Sequence, residues 1–209
     1  MSSNNAPVIK LPFFFDVDRI NQVFESQGIF NRFNGGSTIS LMHRQGVSDP
    51  WLDGLTSAVL KKEQPLYFSE ADFTQMNPGL EDTYFQWFYE RLTEQFRGML
   101  GRIRIFKRDP QTSSSLHHDL DVRFHLALKT NPAAFLVFPE TGVFHIPADG
   151  HVYLVDTTRP HFAVNANTLQ SRNHIVCSTY CGIEEQRSNE QALIHTQRKF
   201  FLEMSKTYR

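Results

Sequence analysis

Apolar and polar residues alternate from Val122 to Leu128. Val122, Phe124, Leu126 and Leu128 fall on one face of an extended chain, and Arg123, His125 and Ala127 on the other. The two-residue period returns at Arg172, His174 and Val176 against Asn173, Ile175 and Cys177, and again in Arg102–Phe106. Each stretch is a predicted strand. From Glu81 to Leu100 the period lengthens: Phe85, Phe88, Leu92, Phe96 and Met99 recur at three and four residues, the apolar stripe of a helix. Glu81 and Asp82 at its start suit the helix dipole, and Gly98 or Gly101 suits its end.

The rest of the pattern is shorter. Residues 1–10 read as a mobile arm, and Leu11–Phe15 as a strand. Asp16 is placed to cap a helix running through Glu25 with Ile20, Val23 and Phe24 on one side. Asn34–Ser37 is a turn, and Thr38–Met42 a strand. His43 to Gly79 is broken by Asp49-Pro50, Gln64-Pro65 and Asn77-Pro78-Gly79, and with Trp51 and Tyr67 it reads as a packed wrap rather than a lid. Asp149-Gly150 predicts a hairpin joining Val143–Ile146 to His151–Asp156. Glu184–Thr207 predicts a C-terminal helix exposed on one side. Many short strands divided by turns indicate a sandwich or barrel.

Composition narrows the function classes. A chain of 209 residues suits one domain with a sizeable core, and nineteen Phe indicate aromatic packing of helix on sheet. The net charge of −1 provides no field for nucleic acid or an anionic membrane. Cys177 and Cys181 cannot form a disulfide framework and read as small core or surface residues. With no secretory signal and no apolar run long enough to span a bilayer, the expectation is a soluble, cytoplasmic protein. No repeat, phosphate-binding glycine loop, HExxH or GxSxG occurs.

The residues that carry chemistry centre on His117-His118-Asp119. His117 and Asp119 are two apart, so on an extended backbone they share a face, while His118 points away. His161, in Arg159-Pro160-His161, supplies a third candidate ligand, and Arg172 follows it by eleven residues. Two imidazoles and a carboxylate form the facial set of a non-haem Fe(II) site, with open positions left for other ligands. A downstream arginine can hold a carboxylate with two parallel bonds. Taken singly, each histidine is as simply a surface residue, Asp119 a cap in a turn, and Arg172 half of an outward salt bridge. His43, His145, His151 and His195 have no partner in this pattern.

In their order, these residues resemble the Fe(II)/2-oxoglutarate-dependent oxygenases, most closely the aspartyl/asparaginyl β-hydroxylase-like branch, which includes proline hydroxylases. The matching text is His117-x-Asp119, Arg123-Phe-His125, Thr130-Asn-Pro132, Phe144-His-Ile-Pro147, Gly150–Asp156, Arg159-Pro-His161, Asn165 and Arg172-Asn-His174, within about residues 101–180. The Asp119-to-Arg123 interval is shorter than the family's.

The resemblance implies a mainly β, double-stranded β-helix, a jelly-roll or cupin-like barrel with flanking helices. It implies a single oxygenase domain over 1–209, with the barrel at about 101–181, an N-terminal wrap and helices at 11–100, and a C-terminal helix at 184–207. His117, Asp119 and His161 would bind Fe(II). Arg172 would bind 2-oxoglutarate, with Arg123, His125 and His174 as further groups for cosubstrate or substrate, and O2 as the oxidant. His174 either orients Arg172 or is a packed polar residue, and Asn165 is a structural turn residue. The implied reaction is hydroxylation of an amino acid, free or within a peptide or protein, with release of succinate and CO2. A non-amino-acid metabolite as substrate, and a non-catalytic barrel that binds metal or a small acid, are the alternatives.

Overall fold

The structure is a computed structural model that describes residues 6–33, 36–55, 68–96, 98–180 and 190–208. The turn at Asn34-Gly35, Tyr67, Cys181 and the start of the expected C-terminal helix lie outside the described residues.

Two antiparallel sheets face each other. The larger contains six strands in the order β1 (Val8–Phe14), β10 (His151–Val155), β7 (Arg123–Lys129), β12 (Arg172–Thr179), β5 (Leu100–Arg108) and β2 (Thr38–Ser40). The smaller contains four, in the order β6 (Thr112–Ser113), β11 (Phe162–Asn165), β8 (Ala134–Phe138) and β9 (Gly142–Phe144). A separate pair joins β3 (Met42–His43) to β4 (Gln75–Met76). Three helices, α1 (Val17–Ser26), α2 (Tyr84–Gln95) and α3 (Glu190–Thr207), complete the architecture, which is the double-stranded β-helix expected from the sequence. Among the described residues no helix is long and apolar enough to cross a membrane.

The strand alternation divides the large sheet into two unlike faces. Phe124, Leu126 and Leu128 of β7, Ile103 and Ile105 of β5, and Ile175 and Cys177 of β12 join the main core. That core is completed by Ile20 and Phe24 of α1 and by Phe85, Phe88 and Leu92 of α2. Each such side chain contributes about 1.5–3 kcal/mol by leaving water, so the helices are bound firmly to this outer face. The inner face carries Arg104, Arg123, His125, Arg172 and His174, all polar and all opposite the small sheet. At one end of the space between the sheets Ala127, Leu136, Phe138, Ile146, Tyr153 and Val155 form an apolar cluster.

Local chemistry explains the element ends. Asp16 caps α1 by accepting from the Arg19 N–H at 3.1 Å. The second helix is shorter than its apolar stripe predicts. Thr83 caps it, Asp82 sits outside with φ +56°, and its first turn carries no acidic residue. At its far end Gly98 takes φ +76° and turns the chain outward, so Leu100 opens β5 instead of closing a helix. Val8–Lys10 are not an arm but the start of β1, paired with Tyr153–Val155.

The expected hairpin at Asp149-Gly150 does not form. Its first strand, β9, pairs with β8 in the small sheet, while β10 pairs with β1 and β7 in the large one. The turn is held by β1: the Phe15 N–H donates to the Gly150 carbonyl at 2.8 Å, and a Cβ at Gly150 would meet that Phe15 carbonyl at 2.7 Å. The chain therefore crosses between sheets at this glycine, whose φ of +79° few other residues adopt.

Candidate active site

His117 and His161 come from different segments, and their backbones join them. His117 N–H donates to the His161 carbonyl at 3.0 Å, and His161 N–H returns the bond to His117 at 2.8 Å. Asp119 N–H is bonded to the Thr157 carbonyl at 2.8 Å, so the segment from His117 to Asp119 lies extended along residues 157–161. Thr157 in turn donates its hydroxyl to the Asp121 carbonyl. Behind these loops, Gln197 of α3 accepts from Val122 N–H and the Thr179 hydroxyl, and Arg198 donates to Thr158 at 3.0 Å. The C-terminal helix thus supports the segments that carry the candidate ligands.

One ligand atom each from His117, Asp119 and His161 lies within 4.8 Å of the others. The Nδ1 of His117 bonds to the Ser115 carbonyl at 2.8 Å, and the Nδ1 of His161 to the Arg159 carbonyl at 2.9 Å. A carbonyl only accepts, so each Nδ1 carries the proton and each Nε2 presents a lone pair. Burial holds the His161 pKa below the ordinary histidine value, which keeps this imidazole neutral. Asp119 Oδ1 is paired with Arg123 at 2.8 Å, while its Oδ2 is buried with no hydrogen-bond partner, 3.7 Å from His161 Nε2. Two imidazole nitrogens and one orphaned carboxylate oxygen fit a divalent first-row metal, the donor types being those of a non-haem Fe(II) site. His118 is exposed and takes no part.

Arg123 is fixed to Asp119 and, through Asp121, to a second carboxylate at 3.3 Å. Burial opposes its charge, but these two carboxylates more than compensate and raise its pKa above the ordinary guanidinium value. It is thereby a neighbour of the ligand set rather than a free cation. The role of Asp121 was not legible from the sequence.

Below the ligands, a chamber runs between the sheets, lined by His117, His161, Arg123, His125, Arg108 and Arg172. Arg172 is buried and donates to His174 Nδ1 at 2.9 Å. Burial, with Arg108 beside it, depresses the Arg172 pKa to about 9. His174 Nε2, both ring nitrogens of His125 and Arg108 Nε are buried without hydrogen-bond partners. His125 and His174 are held neutral by burial and the Arg172 charge, with pKa values well below the ordinary one. Unmatched buried polar atoms are uncommon in folded proteins, and their concentration here marks a place where a polar ligand would complete the bonding.

Three other histidines make structural contacts: His43 bonds Asn77, His145 the Ala134 carbonyl, and His151 packs beside Asp149. Asn165 ties a turn together through Arg108, Asn131 and Gln170, as expected. Two arginines that the sequence did not single out, Arg104 and Arg108, also face the site. Their signal was present in the alternation of β5, which did not say which face pointed inward.

No protein-family model matches this chain, and no curated protein matches it. Among solved structures, AviO1 from Streptomyces viridochromogenes Tue57 is similar over 87% of this chain and 92% of its own, at 13% identity and a TM-score of 0.50. A prolyl-4-hydroxylase from Pseudomonas putida aligns over 85% of this chain and 95% of its own, at 13% identity and a TM-score of 0.47. The viral collagen prolyl hydroxylase of Paramecium Bursaria Chlorella virus-1, in its 2OG complex, aligns over 86% and 98%, at 10% identity and a TM-score of 0.46. At these identities the likeness concerns the fold.

Proposed function

We propose that this protein is an Fe(II)- and 2-oxoglutarate-dependent dioxygenase, one oxygenase unit that hydroxylates an amino acid, free or as a residue of a peptide. The observation that carries the reading is the convergence of two imidazoles and one orphaned carboxylate oxygen above a chamber that ends in a buried arginine.

Bound Fe(II) would supply the activation of O2 that couples two oxidations: 2-oxoglutarate, O2 and R–H give succinate, CO2 and R–OH. The chain's own residues supply the rest. His117 and His161 offer Nε2 because their Nδ1 protons are engaged by carbonyls. Asp119 offers Oδ2 while Arg123 holds its Oδ1 and so orients the carboxylate. Arg172, steadied by His174, would take the carboxylate of 2-oxoglutarate remote from the metal with two parallel bonds. His125, neutral and without partners, lies between these ends and can donate or accept. Phe138 stacks on His161 at 5.5 Å between centroids and shields it from water.

The reading is tested by anaerobic titration of the Fe(II)-loaded protein with 2-oxoglutarate, followed by an aerobic assay for succinate. A screen by mass spectrometry for gain of one oxygen across amino acids and peptides then finds the substrate. Failure of 2-oxoglutarate to bind the iron-loaded protein would remove the reading, and binding without any succinate would leave a barrel that holds a small acid without turnover.

A further inference from the structure

If the oxygenase reading is right, one dicarboxylate occupies the chamber and meets Arg172. The cleft outside it still contains a cation that nothing in that reading uses. Arg104 lines this outer cleft together with Phe106, Arg108, His117, Asp119 and Arg123. Its side chain is only 2% exposed. One of its nitrogens donates to the Ser178 hydroxyl at 3.2 Å, its guanidinium carbon lies 5.0 Å from the Phe106 ring centre, and its Nε is buried without a partner.

The carboxylates that act on Arg104 are already committed. Glu70 holds Arg102, with a bond of 2.8 Å to its Nε, and Asp121 holds Arg123. Among the described residues none forms an ion pair with Arg104. Burial, with Arg102 and Arg123 nearby, pushes its pKa well below the ordinary value. A buried guanidinium satisfied by a hydroxyl and a ring face is incomplete, because its charge needs an anion to offset desolvation.

Its position assigns that anion to a second molecule. Arg104 and Arg108 are four residues apart on β5, about 13 Å along the strand. Arg108 is opposite Arg172 in the sheet, at the cosubstrate end, and Arg104 is opposite Val176. Arg104 reaches toward Ser178, which pairs with Arg123, the residue that holds the ligand Asp119. Arg104 therefore serves the mouth above the ligands, and Arg172 the bottom. We propose that Arg104 binds a carboxylate of the primary substrate, so that the substrate is an acid held by this group at the outer side of the ligand set.

The test uses the full chain loaded with Mn(II) and 2-oxoglutarate. Thermal shift and equilibrium titration compare matched probes: L-amino acids against their carboxamides, and N-acetylated, C-amidated Asp and Glu against Asn and Gln. The oxygen-gain assay is run on the same pairs with Fe(II). At least one acid is expected to bind and gain oxygen while its uncharged partner does neither. Arg104→Gln should weaken that acid by more than about thirtyfold, with 2-oxoglutarate affinity within about twofold of wild type, and Arg104→Lys should restore part of the loss. Carboxamides taken as well as acids, or no acid in the panel bound, would overturn the proposal. So would an equal loss of 2-oxoglutarate binding in Arg104→Gln, which would give this arginine to the cosubstrate. Should that variant not fold, the acid-against-carboxamide comparison on the wild type decides alone. If 2-oxoglutarate fails to bind the wild type at all, the oxygenase reading itself is what has failed.

Discussion

His117 and His161 are a reciprocal backbone pair, each N–H bonded to the other's carbonyl at 3.0 and 2.8 Å, with ring centres 4.6 Å apart. Two candidate ligands 44 residues apart in sequence are thus brought together by main-chain bonds that do not involve a metal. These bonds bridge the two segments on their own account. Chelation should therefore leave the fold intact, with circular dichroism unchanged and only a modest drop in Tm. Asp119→Ala should abolish turnover and weaken iron binding while retaining that spectrum. Retained succinate release by the variant would disprove the role given to Asp119.

Arg123 meets the candidate site through its 2.8 Å contact with Asp119, and in the proposed oxygenase it would be a positioning residue. Removing a group that orients a metal ligand typically lowers affinity about 10–100-fold. Arg123→Met should weaken iron by that factor. The 2-oxoglutarate affinity of protein already saturated with iron should change less. Titrations of iron and of 2-oxoglutarate on the same preparation separate the two effects. A variant that lost only 2-oxoglutarate binding would show that Arg123 is a cosubstrate group instead.

Arg172 should behave in the opposite way. Deleting one member of a buried charge pair costs about 3–5 kcal/mol, more than two orders of magnitude in affinity. Arg172→Ala should therefore raise the 2-oxoglutarate requirement by that much and leave iron affinity nearly unchanged. Arg172→Lys should fall between, since an ammonium cannot reproduce the planar fork. Equal 2-oxoglutarate affinity in all three proteins would transfer the role to a neighbour, with Arg123 the first to examine.

The buried histidines set an acid limit. His125 and His174 have folded-state pKa values well below the ordinary one near 6.5, because burial and Arg172 disfavour their charged forms. The unfolded chain then binds more protons than the folded one over the interval between these values. Stability is complete above pH about 6.5 and declines as pH falls, by up to about 1.4 kcal/mol per pH unit for each histidine. Denaturant midpoints of the metal-free protein between pH 7.5 and 5 should show this slope, and His174→Gln should reduce it. A flat profile would mean that these rings are not held neutral.

Much of this arrangement could be read from the chain. Alternation in β7 and β12 separated the apolar outer face from the Arg-x-His inner face, because a strand repeats every two residues and these strands are buried on both sides. The cap at Asp16 and the shared orientation of His117 and Asp119 were legible for the same local reason. What escaped depended on distant partners. The turn at Gly150 has the local signature of a hairpin, yet its binding partner is Phe15, at the other end of the chain. In β5 the arginines and isoleucines alternate with equal regularity, so nothing local said that the charged side faced the site.

The buried pair of Arg102 and Glu70 has a consequence for how the edge of the large sheet is fastened. Arg102 also donates to the Gly54 carbonyl at 2.6 Å, so one guanidinium on β5 ties down both Gly54 and Glu70, sixteen residues apart. Two stretches of chain therefore share a single anchor, and loosening it at either one leaves a buried charge at the other. The clamp can only open as a whole, which makes this corner of the fold an all-or-none joint.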